Sequence, residues 1–107
     1  MNQRSEISET QYRLLSKIFR SPTRRSIVLA MLNGCVFPNQ IQKVTEIGFP
    51  LISKNLKQLE KYGIIRCKNP SKKVGRIHIL VEEIEKMKDT IFKWLNRFEL
   101  EVESSKT

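Results

Sequence analysis

A single histidine and two distant cysteines leave this 107-residue chain little material for catalysis or metal binding. His78 has neither serine nor cysteine beside it in sequence, so no nucleophile–base constellation is visible. Cys35 and Cys67 are too far apart for the short ligand spacing of a zinc site or for a disulfide framework. They are expected to be structural thiols in a reducing compartment, and His78 to be exposed. There is no glycine-rich loop to cradle phosphate. No apolar run reaches the length of a membrane span, and the polar start Met1-Asn2-Gln3-Arg4 is unlike a signal peptide. The expectation is a cytoplasmic protein with no cofactor, no bound metal, no membrane and no enzymatic activity.

Acidic residues are also scarce. Eleven Asp and Glu face twenty Lys and Arg, for a net charge of +9. Such a chain suits polyanions, nucleic acid first and an acidic membrane surface second. The excess is uneven. Residues 1–48 carry 7 basic and 3 acidic side chains, residues 49–80 carry 8 and 1, and residues 81–107 carry 5 and 7. Lysines kept for solubility alone would not cluster in this way.

What is present reads as helices around one modest core. Residues 1–8 look frayed, and Ser8 with Gln11 can form a capping box for a helix to about Phe19, with Leu14, Leu15 and Ile18 inward. Ser21-Pro22 opens a second helix with Ile27, Val28, Met31 and Leu32 inside, ended by Gly34. Arg24 and Arg25 in its first turn oppose the helix dipole and call for an anionic partner. An internal carboxylate is favoured over phosphate. Cys35-Val36-Phe37 can add a small third strand. Pro38 opens a third helix with Ile41, Val44 and Ile47 inward, broken by Gly48.

The helix from about Phe49 to Tyr62 carries most of the functional signal. Ile52, Leu56, Leu59 and Tyr62 share one face, and Lys54, Lys57 and Lys61 lie off it. After Gly63, Ile65 and Cys67 alternate with Arg66 and Lys68. The loop Asn69–Gly75 leads to a second strand with Ile77 and Ile79 on its core side. Such a helix can enter a DNA major groove, with the basic hairpin beside it. The residues placed on DNA are Pro50, Leu51, Ser53, Lys54, Asn55 and Lys57 from the helix and Lys68, Lys72, Lys73 and Arg76 from hairpin 66–78. The competing reading for each is a hydrated, uncommitted surface. From Glu82 to about Glu103 one long helix is expected. Its Ile84, Met87, Ile91, Trp94 and Phe98 step by three and four, flanked by Leu95 and Val102, which suits a helix partner more than a ligand pocket. The sequence gives no support for a small-molecule effector.

The order of elements, with Ser21-Pro22-Thr23-Arg24 and Ile52-Ser53-Lys54-Asn55-Leu56-Lys57-Gln58-Leu59, resembles the winged helix-turn-helix regulators of the arsenic-repressor and MarR-like group. The loop Asn69-Pro70-Ser71-Lys72-Lys73-Val74-Gly75-Arg76 is similar to wings of small archaeal members. The resemblance covers roughly residues 10–100. It implies an α+β, mainly helical fold, with residues 1–80 as DNA-binding domain and 81–107 as dimerisation helix and tail. It also implies a homodimeric transcription regulator on a near-palindromic duplex operator. Metal-sensing members carry Cys-Val-Cys where this chain has Cys35-Val36-Phe37, and the last helix lacks the family's zinc-binding histidines, so metal sensing is not implied. An architectural DNA-binding protein of the same fold and a winged-helix protein-interaction module stand as alternatives.

Overall fold

The structure, a computed structural model, describes residues 7–96. It is mainly helical with a small two-stranded antiparallel sheet. The order is α1 (Glu9–Phe19), α2 (Pro22–Leu32), α3 (Pro38–Thr45), α4 (Phe49–Lys61), β1 (Ile65–Cys67), β2 (His78–Leu80) and α5 (Glu82–Lys86). A further helix, α6, begins at residue 88 and is described to residue 96. No helix among the described residues is long and apolar enough to cross a membrane.

The helix starts follow local chemistry. The Ser8 hydroxyl accepts the Gln11 N–H and the Gln11 side chain accepts the Ser8 N–H, both at 3.1 Å, closing the expected capping box. Ser8 and Ile7, which packs against the core, are therefore not part of a frayed start. Residues 1–6 of that expectation lie outside the described residues. At α2 the Ser21 hydroxyl accepts the Arg24 N–H at 3.2 Å, with proline in the first turn. Arg24 and Arg25 both reach back to the end of α1. Their guanidiniums donate to the Lys17 and Phe19 carbonyls, the latter at 2.7 Å. These carbonyls close α1, the negative end of its dipole, and attract the two cations.

Gly48 is not the residue that breaks α3. Glu46 does so, in the left-handed region at φ 61°, and Gly48 is the N-cap of α4 with an ordinary φ of −66°. Val44, expected inside, is 65% exposed; Ile41 alone on α3 is fully buried, and Ile47 is half-buried. An eight-residue helix turns only one narrow stripe inward, and Val44 lies off it.

The core gathers Leu15 and Ile18 of α1, Ile27 and Val28 of α2, Ile41, and Ile52, Leu56 and Leu59 of α4. Each full burial contributes about 1.5–3 kcal/mol. Tyr62 ties three helices together at the rim. The Lys17 ammonium lies 4.3 Å and the Arg24 guanidinium 5.3 Å from its ring centroid.

In the sheet, Ile65 pairs with Leu80, Arg66 with Ile79 and Cys67 with His78. Paired residues share a face, so Leu80 and His78 join Ile65 and Cys67 inside. Ile77 and Ile79, expected inward, are only half-buried. Loop length sets register, and a one-residue shift exchanges every side chain between faces. The segment 35–37 forms no strand, but the Val36 carbonyl accepts the His78 N–H at 2.9 Å on the free side of β2.

The last helix is not continuous. Met87 leaves helical geometry at φ −98° and ψ 13°, separating α5 from α6. On either side of the break, and at it, Ile84, Met87 and Ile91 are buried in this protomer. They are therefore not a dimer face, which corrects the interface expected from their spacing. Trp94 and Leu95 are half-buried, with Trp94 edge-on to Tyr12 at 6.1 Å and tilted on Phe19 at 5.3 Å. Phe98, Val102 and Glu103 lie outside the described residues.

Candidate nucleic-acid interface

The amphipathicity of α4 positions the first group of predicted residues. With Ile52, Leu56 and Leu59 buried, Ser53, Lys54 and Lys57 are left on the outer side, with Pro50 and Leu51 exposed at the helix start. Asn55 is the exception. It is 7% exposed, and its amide donates to the Leu51 carbonyl at 2.8 Å. One helical turn separates the two, so the side chain folds back on its own backbone and is withdrawn from any outer partner.

Asn69 shapes the hairpin. Its side-chain oxygen accepts the Ile77 N–H at 2.8 Å, and its amide donates to the Gly75 carbonyl at 3.1 Å. The Lys68 N–H donates to the Ile77 carbonyl at 2.8 Å. These bonds close the loop below its tip and hold Lys72, Lys73, Val74 and Arg76 out in solvent. Gly75 takes φ 72°, a turn conformation that suits glycine.

Between α4 and this loop runs an open groove of about 1010 Å³. Five predicted residues meet in it: Pro50, Ser53 and Lys57 on the helix side, Lys73 and Arg76 on the hairpin side. Leu51, Lys54, Lys68 and Lys72 are exposed but lie outside its lining. Three positive side chains on two elements, against Glu60 alone, make an anion-attracting cleft.

Phe37, Phe49 and His78 also line the groove and were missed as site residues. A signal for the phenylalanines existed. Phe-Pro occurs twice, and each proline stands in the first turn of a helix, leaving a phenylalanine at the helix mouth. His78 is not the exposed histidine expected. It is 8% exposed, its Nδ1 is sealed without a partner, and its pKa is lowered. Burial is the main cause, Glu60 opposes it and Arg76 reinforces it. The folded state thus binds a proton less readily than the unfolded chain, whose histidine titrates near 6.5. The His78 contribution is complete above about pH 6.5 and is lost as pH falls below it. His78→Leu should flatten the dependence of the chemical-denaturation midpoint on pH across that window. An unchanged slope would show that other groups carry it.

Cys35 and Cys67 are both free, and no group of three or more metal-binding side chains gathers among the described residues. Comparison with protein-family models, with curated proteins and with solved structures gives no match.

Proposed function

We propose that the chain is a duplex-DNA-binding transcription regulator of winged helix-turn-helix type, and not an enzyme. The observation that carries this is the convergence of Lys57, Lys73 and Arg76 on one groove from two separate elements. In this reading α4 enters the major groove with Lys54 and Ser53 toward base edges and Pro50 and Leu51 against thymine methyls. The hairpin is the wing. The sugar–phosphate strand between major and minor grooves lies along the cleft, held by Lys57, Lys73 and Arg76, while Lys68 and Lys72 add phosphate contacts.

The protein acts as a homodimer in this proposal. The contact surface is the region where Tyr12, 58% exposed, meets half-buried Trp94, with half-buried Leu95 next to Trp94 in sequence. Two α4 helices then meet successive major-groove segments about 34 Å apart or a multiple of it.

A sequence-reading helix and a positioning wing respond differently to mutation. Lys54→Ala should weaken a cognate site by about 1–3 kcal/mol and relax preference at one base position. Lys72→Ala should weaken every duplex alike. Competition shift assays against unrelated duplex measure both. Equal losses for the two variants on cognate and random DNA would favour an architectural protein over a regulator.

A further inference from the structure

The groove is more apolar than a phosphate strand requires. Phe37, Phe49, Leu56 and Val74 all line it. Phe49 leaves 45% of its surface uncovered, and Val74 leaves 86%. A duplex laid along the cleft presents sugars and phosphates, with its bases stacked inward. Phosphate oxygens satisfy Lys57, Lys73 and Arg76 but gain nothing from an aromatic face. Exposing these rings to water carries a cost that duplex binding does not recover.

His78 adds a polar group to the same surface. It is more than nine-tenths buried, its side chain makes no hydrogen bond, and its Nδ1 is shut away. His78 lines the groove, and its Nε2 is not shut away in the same manner. An imidazole there can donate to or accept from the edge of an unpaired base. Aromatic faces, flanking cations and one hydrogen-bonding group in an open channel match the way single strands are held, by base stacking and phosphate neutralisation together.

We propose that the groove between α4 and the hairpin binds an unpaired DNA strand, its bases stacked on Phe49 and Phe37 and its phosphates on Lys57, Lys73 and Arg76. The proposal rests on the nucleic-acid reading above and extends it to a second form of DNA held on the same cations. A protein with both capacities favours sites where duplex opens into single strand.

The test uses fluorescence anisotropy on the full chain with three labelled probes: a short thymidine homopolymer, an abasic strand of equal length and charge, and a random duplex. The homopolymer should bind about tenfold more tightly than the abasic strand, since stacking on one aromatic ring is worth roughly that factor or more. Phe49→Ala should remove most of this preference, and Phe49→Leu, which keeps an apolar side chain without the ring, should do the same. Lys73→Ala should weaken both strands by a similar factor. Equal affinity of wild type for homopolymer and abasic strand overturns the stacking proposal, with duplex binding left standing if the third probe binds. A Phe49→Leu variant that keeps the full preference overturns it as well. Failure of all three probes removes the nucleic-acid reading itself.

Discussion

Raising salt from about 50 to about 200 mM should weaken duplex binding by about a thousandfold or more. The estimate follows from exposed side chains. Lys54, Lys57, Lys68, Lys72, Lys73 and Arg76 are all in solvent on α4 and the hairpin. Each phosphate neutralised releases condensed counterions, and log K falls by about 0.9 per contact for each decade of salt. The five placed on phosphates, all but Lys54, give a slope of about −4.5 in one protomer, and a dimer roughly doubles it. Anisotropy titrations of a random duplex at four salt concentrations give the slope directly. A loss below tenfold over this range would mean that the cations do not meet phosphates, and the proposed function would fall.

Ile91→Glu should unfold the protein, not dissociate a dimer. Ile91 is 1% exposed and packs in the core with Ile84 and Met87. Losing the isoleucine costs about 2–5 kcal/mol in packing. The carboxylate adds a desolvation penalty and finds no cation among those apolar neighbours. Against a total stability of about 5–15 kcal/mol for a domain of this size, the sum removes most or all of it. Circular dichroism should show no cooperative thermal transition for the variant. Trp94→Ala, half-buried in α6, should keep that transition and shift sedimentation toward monomer. A folded, cooperative Ile91→Glu that was merely monomeric would return Ile91 to an interface between copies.

The two apolar stripes show where sequence pattern is sufficient and where it is not. In α4 the spacing of Ile52, Leu56 and Leu59 predicts an inward face, and all three are buried. In the last helix the same kind of spacing holds for Ile84, Met87 and Ile91, but it says only that the residues share a face. That this face meets the protomer's own core is seen only in the burial of Ile84, Met87 and Ile91, on either side of the break at Met87. No proline or glycine marks that break in the sequence, so periodicity ran straight through it.

The sequence by itself determined the features that rest on contacts a few residues apart: the Ser8–Gln11 capping box, the Ser21-Pro22 start, and the division of α4 into an apolar and a basic side. These depend on helix geometry and on side-chain reach along one turn, which residue order specifies directly. Only the tertiary structure decided the rest. Register placed His78 inside and left Ile77 and Ile79 half-covered. Back-bonding to Leu51 withdrew Asn55 from the outer side of its helix. The packing of the hairpin against α4 brought Phe37, Phe49, Lys57, Lys73 and Arg76 around one groove. Each of these turns on which distant backbone lies opposite which, a quantity set by chain crossing and loop length and carried by no local pattern of residues.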